Sequence, residues 1–170
     1  MRIAVYAGTF DPITYGHLSV VERARTLFDR VVVLVASHPT KTPMFDQNER
    51  VAMASEAVAC FADVGVASTR GYVVRFARDH GAEFLIRGVR SAMEMKYEMA
   101  LAYANQALAP EVETVFVAAH PDLAAVSSSR LKTLAAAGAD LSRLCSGAVE
   151  QRLHLRLAAA LMKEGHRGQV

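Results

Sequence analysis

Residues 2–17 read Arg2-Ile3-Ala4-Val5-Tyr6-Ala7-Gly8-Thr9-Phe10-Asp11-Pro12-Ile13-Thr14-Tyr15-Gly16-His17. The first six form a compact, apolar, strand-like run that ends at a glycine. Asp11-Pro12 favours a turn. Gly16-His17 then opens a helical pattern that places Leu18, Val21, Ala24 and Leu27/Phe28 on one stripe. A strand, a glycine-led loop and a helix in that order make the first half of a β-α-β unit.

The alternation repeats along the chain. Short apolar runs at 31–36, 64–67, 84–86 and 114–118 read as further strands. Their continuous apolar character suits parallel strands covered on both faces. Helical patterns fall at 47–61, 73–80, 91–108, 128–137 and 148–163. This order predicts an α/β fold: a Rossmann-like, doubly wound, five-stranded parallel sheet with right-handed crossovers and C-terminal helices. No boundary, repeat or low-complexity linker divides the chain, so residues 1–170 are expected to form one domain, with a frayed tail at 165–170.

Composition narrows the function classes. The chain has 170 residues, of which 52% are hydrophobic and 21% charged, with mean hydropathy +0.19. That excludes an intrinsically disordered chain. The 19 Lys and Arg against 17 Asp and Glu give a net charge of +2, too balanced for a nucleic-acid coat. No apolar run approaches the ~20 residues of a membrane span, and no signal peptide is visible, so a cytoplasmic location is expected. Cys60 and Cys145 lie far apart and form no CxxC, which argues against a disulfide framework or a zinc cluster. The histidines beyond His17 show no ligand spacing, and the Met93, Met95, Met99 run is read as helix packing. Neither a Walker A motif nor a GxGxxG occurs, against P-loop and dinucleotide enzymes.

In such sheets ligands lie beyond the C-terminal strand ends. Gly8–His17 follows the first strand, and His17 near a helix start sits where free N–H groups attract an anion. The helix dipole there disfavours the imidazolium, so His17 can act as a neutral donor. Lys41 follows the second strand between Pro39 and Pro43, as a reachable point charge for phosphate. Arg87-Gly88-Val89-Arg90 follows the fourth, pairing arginine forks with a glycine that admits close approach. Ser127-Ser128-Ser129 follows the fifth and reads either as a helix cap or as a second phosphate cradle.

Together these segments resemble the T/HxGH nucleotidyltransferases, and specifically the phosphopantetheine adenylyltransferase family. The resemblance is carried by Gly8–His17, by 41–45, by Ile86-Arg87-Gly88-Val89-Arg90, by Tyr97-Glu98-Met99 and by Val126-Ser127-Ser128-Ser129, in the family's order and spacing. It covers roughly residues 1–156. It implies adenylyl transfer from ATP to 4′-phosphopantetheine, giving dephospho-coenzyme A and pyrophosphate. It also implies Mg²⁺ carried by ATP and a homohexamer, with no nucleic-acid or membrane partner. The resemblance assigns Thr9, Lys41, Val73 and Arg87 to the acceptor. It assigns Thr9, Phe10, His17, Gly88, Val89, Arg90, Glu98 and Leu123, Ala124, Ala125, Val126, Ser127, Ser128 and Ser129 to ATP. His17, Lys41, Thr9 and Arg87 are the catalytic set.

The stretch 121–125 lacks the aromatic residues usual in the family, Glu94-Met95-Lys96 replaces an acidic-aromatic-acidic run, and Ala7 stands where proline is common. Gly71-Tyr72-Val73 matches the pantetheine-side loop only loosely. Another T/HxGH enzyme, such as a nicotinamide mononucleotide adenylyltransferase, and a non-catalytic nucleotide sensor remain the alternatives.

Overall fold

A computed structural model describes residues 1–37 and 42–167, with side chains of 163–167 left out. Five strands, β1 (Ile3–Gly8), β2 (Arg30–Ala36), β3 (Val64–Thr69), β4 (Phe84–Val89) and β5 (Glu113–Ala118), form one parallel sheet in the order β3-β2-β1-β4-β5. The order reverses between β1 and β4, which are neighbours. Six helices connect and follow the strands: α1 (Tyr15–Arg25), α2 (Gln47–Val58), α3 (Val73–Asp79), α4 (Ala92–Leu108), α5 (Ser128–Ala136) and α6 (Gly147–Arg167). The expected parallel α/β architecture is the one observed.

Side chains alternate across the sheet, and each face has its own core. Ala4 and Tyr6 of β1, with Val31, Val33 and Val35 of β2, pack on α1, α2, α5 and α6. Val5 and Ala7, with Leu34 and Leu85, face α3 and the chain after α4. The near-continuous Val and Leu runs are the consequence of being covered on both sides.

Several boundaries moved. β4 was expected to stop at Ile86 but runs to Val89, because Arg87, Gly88 and Val89 pair with Phe116, Val117 and Ala118 of β5. Arg87, Gly88 and Val89 therefore sit on a strand rather than in a loop. α1 ends at Arg25, leaving Leu27 exposed and Phe28 buried beyond it. Residues 121–123 form a single 3₁₀ turn. α6 continues through Arg167, into the stretch expected to fray, and 168–170 lie outside the described residues. α4 has no buried residue: Met93, Tyr97, Met99, Tyr103 and Leu108 are exposed, and of the three methionines read as helix packing only Met95 is half-buried against this chain.

Candidate active site

Where β1 and β4 lie side by side, a cavity of about 750 Å³ opens at the C-terminal end of the sheet. Its position is the strand-order switch, where open α/β sheets bind ligands. The β1–α1 loop, the end of β4, residues 42–43, the starts of α3 and α5 and one side of α4 line it.

The β1–α1 loop turns sharply. Phe10 has φ 47°, a left-handed backbone that a bulky residue adopts only when its surroundings hold it there. Its buried ring does so, packing edge-on to Tyr6 (centroids 5.4 Å apart) and to His17 (5.0 Å). Gly8 makes room, since a Cβ there would stand 2.8 Å from the Phe10 ring. Gly16 allows another close approach, because a Cβ would stand 2.8 Å from the carbonyl oxygen of Val126. α1 is thereby seated directly against the chain that leads into α5.

His17 occupies the third position of α1, where it completes a capping box. The Thr14 side chain accepts from the His17 N–H, and the Thr14 N–H donates to His17 Nδ1 at 3.1 Å. Nδ1 is therefore an acceptor, and the ring proton resides on Nε2, the atom left for the cavity. Burial pushes the imidazole pKa down from 6.5 to about 4, aided by the nearby Arg90 charge. The ring is therefore neutral at physiological pH, through burial and Arg90 rather than through the helix start that suggested it in the sequence.

Among the described residues, the cations that line the cavity are each held by a carboxylate. Arg87 makes a two-pronged pair with Glu98 of α4, Nε to Oε2 at 2.5 Å and Nη2 to Oε1 at 3.0 Å, and its Nη1 donates to the Ala7 carbonyl at 3.3 Å. Arg90 pairs with Glu94 one turn into α4. Lys132 of α5 meets Asp11 at 2.7 Å. Asp11 is buried, and its oxygens also accept the N–H groups of Met44 and Phe45, both at 2.9 Å. Burial works to raise the Asp11 pKa, but the Lys132 bond and the two backbone donors outweigh it and hold the carboxyl below its usual range.

The serines divide their work. Ser127 caps α5, accepting from the Arg130 N–H at 3.2 Å, and Ser128 Oγ donates to the Pro12 carbonyl at 2.8 Å. Ser129 lines the cavity beside the first N–H groups of α5, which have no partner within the helix. The capping reading is thus the one the hydrogen bonds show, and all three serines line the cavity.

Of the residues picked out in the sequence, the cavity brings together Thr9, Phe10, His17, Val73, Arg87, Gly88, Arg90, Glu98, Val126, Ser127, Ser128 and Ser129. Lys41 lies outside the described residues. Val89 and Leu123, Ala124 and Ala125 do not line it; Leu123 forms part of the 3₁₀ turn behind the wall. The sequence reasoning overlooked Tyr6, Asp11, Thr42, Tyr97, Leu101 and Lys132 as wall residues. Lys132 had a visible signal: it stands one helical turn after Ser128, on the face that points back to the helix start. Among the described residues no group of three His, Cys, Asp or Glu side chains could hold a metal ion. The cavity carboxylates Asp11 and Glu98 are already engaged by Lys132 and Arg87.

Residues 5–134 match the cytidylyltransferase-like family. The chain is 44% identical over 155 residues to a phosphopantetheine adenylyltransferase of Thioalkalivibrio sulfidiphilus, covering 91% of this chain and 98% of that one. It is also 44% identical over 153 residues to the enzyme of the same name from Heliobacterium modesticaldum, covering 90% and 91% of the two chains. Among solved structures, a putative nicotinate-nucleotide adenylyltransferase from Vibrio parahaemolyticus superposes with a TM-score of 0.67 at 17% identity, over 92% of this chain and 95% of that one. At that identity it shows the fold alone.

Proposed function

From the premise that the chain belongs to the cytidylyltransferase-like family, and within it to the phosphopantetheine adenylyltransferases, we propose how its cavity performs adenylyl transfer. ATP and 4′-phosphopantetheine react to give dephospho-coenzyme A and pyrophosphate. The attacking phosphate is already ionised, so no general base is needed, and catalysis reduces to positioning and charge stabilisation. The observation that carries the assignment is His17: Thr14 occupies its Nδ1, so an uncharged Nε2–H donor faces the cavity. That donor serves a non-bridging oxygen of the α-phosphate as charge builds there.

The other groups follow from their places around His17. The α5 start, with Ser129 and Lys132, receives the β- and γ-phosphates and holds the leaving pyrophosphate. Gly88, Arg90 and Val126 border the nucleotide. Thr9 and Val73 serve the acceptor together with Arg87, which Glu98 orients, and the resemblance to the family adds Lys41. Mg²⁺ would come carried by ATP and would supply charge neutralisation; among the described residues no group of three His, Cys, Asp or Glu side chains would hold it.

The proposal includes self-association to a hexamer, supported by α4, whose Met93, Tyr97, Met99, Tyr103 and Leu108 are exposed along a helix with no buried residue. Light scattering of the full chain tests it. A cytoplasmic location fits soluble, highly charged substrates, and no described helix is long and apolar enough to cross a membrane.

The decisive experiment measures pyrophosphate release with ATP and CTP, each crossed against phosphopantetheine and nicotinamide mononucleotide. Turnover is expected with ATP and phosphopantetheine alone. Preference for the mononucleotide, or for CTP, would overturn the assignment.

A further inference from the structure

The buried polar and charged residues among those described are Asp11, Thr14, Ser19 and Arg50. Asp11 and Thr14 have partners that explain them. Arg50 does not have the usual one. Only 2% exposed, it forms no ion pair among the described residues, and every acceptor it meets is a neutral carbonyl. A guanidinium buried without a counterion is costly, and an apolar side chain of similar volume would avoid that cost if filling space were the whole task.

The three carbonyls belong to three different segments. Arg50 lies in the first turn of α2, and its side chain reaches back past the helix start, as helical side chains do. Nε donates to Phe45 O at 3.2 Å, and Nη1 to Thr9 O at 2.6 Å and Ala36 O at 3.3 Å. Thr9 and Ala36 line the cavity, and Phe45 adjoins the wall formed by Thr42 and Pro43. The peptide groups of 44–45 are held from the other sides as well. Asp11 accepts both N–H groups, and Arg156 of α6 donates to Met44 O at 2.9 Å. All four backbone polar groups of Met44 and Phe45 are therefore bonded to side chains from three separate elements.

We infer that Arg50 is a positioning residue for the acceptor half of the reaction. By bridging Thr9 O, Ala36 O and Phe45 O, it fixes Thr9 against the wall at 42–45. It touches no reacting atom; it sets the gap in which the acceptor phosphate must lie. The inference rests on the adenylyl-transfer assignment for the identity of that acceptor, while the bridge itself is independent of it.

Arg50→Lys keeps the charge but cannot span three carbonyls, and Arg50→Gln removes the buried charge, so the two variants disturb the fold in different ways while both break the bridge. Both are expected to raise the KM for phosphopantetheine at least about tenfold, the loss of one hydrogen bond to a charged group, with the ATP dissociation constant kept within about twofold. In the unliganded protein, the Met44 and Phe45 amides should exchange faster than in wild type, while amides of β4 and β5 do not. A purely structural role would lower thermal stability and reduce activity with both substrates in proportion to the active fraction; that result overturns the inference. Unchanged exchange at Met44 and Phe45 overturns it too. A wild-type protein inactive with phosphopantetheine would defeat the acceptor assignment instead, leaving the exchange measurement to judge the bridge.

Discussion

His17 is held neutral by its surroundings, and acid should therefore unfold the protein partly through this one ring. Its pKa falls from 6.5 to about 4 because burial disfavours the charged ring and Arg90 repels it. Protonation would also have to break the Thr14 N–H bond to Nδ1. Below about pH 6.5 the unfolded chain takes up a proton that the native state refuses, so stability falls with pH until about pH 4, where the native ring protonates too. Above that window the contribution is complete and flat. At ~1.4 kcal/mol per unit, the loss at the acid end amounts to at most about 3 kcal/mol. Urea unfolding of the wild type and of His17→Gln, from about pH 7 to about pH 4, reads it directly. Glutamine at this helix position can still accept the Thr14 N–H, so the cap survives while the titration disappears. The stability difference between the two proteins should move by about 2–3 kcal/mol in favour of the glutamine variant as pH drops. A difference that stays constant across the range would refute both the neutral tautomer and its cause.

His17→Ala should lower turnover about 10²–10³-fold, the usual cost of losing a transition-state donor, while ATP affinity measured by calorimetry changes little; near-normal turnover would remove His17 from the chemistry. Gly16→Ala would gain about 1 kcal/mol from helix propensity alone, yet its Cβ would stand 2.8 Å from the Val126 carbonyl. We expect net destabilisation of about 1–3 kcal/mol in denaturant titrations, and a stabilised variant would contradict the close approach. Glu98→Gln should unseat Arg87 and raise the phosphopantetheine KM about tenfold, with the opposite outcome, a change confined to ATP, placing Glu98 on the nucleotide.

Apolar continuity made the sheet legible, and it failed where function replaced it. Residues 84–86 read as a strand and 87–89 did not, since arginine and glycine break the apolar run. Pairing with Phe116, Val117 and Ala118 carries β4 through them regardless. His17, Arg87, Glu98 and the serines were legible because each follows an apolar, strand-like run in a pattern with a chemical use. Arg50 was hidden by its helix. It falls in register with Met53 and Ala54 on the buried stripe of α2, and an arginine on such a stripe is the signal that a reading of apolar residues alone passes over. Asp11 was read as a turn former, and nothing local reveals that Met44, Phe45 and Lys132, over thirty to over a hundred residues away, converge on it.

The pairing of charges bears on how the site can bind two phosphate-bearing substrates and still release product. Arg87, Arg90 and Lys132 are each matched by Glu98, Glu94 and Asp11. A free cluster of cations would grip pyrophosphate as tightly as the transition state, which adds binding without adding rate. With a carboxylate on each of these three cations, an arriving phosphate must share or displace it, so ground-state affinity is moderated. In the proposed mechanism, the uncharged His17 donor, with Nδ1 taken by Thr14, keeps its Nε2 for charge that develops later. Among the described residues Arg50 differs from these three, a buried cation whose partners are all carbonyls, and it does not need to let go of anything when substrate arrives. The near-zero net charge of the chain thus hides a division of labour. Exchangeable pairs face the ligands, and a fixed charge behind them holds the walls in place.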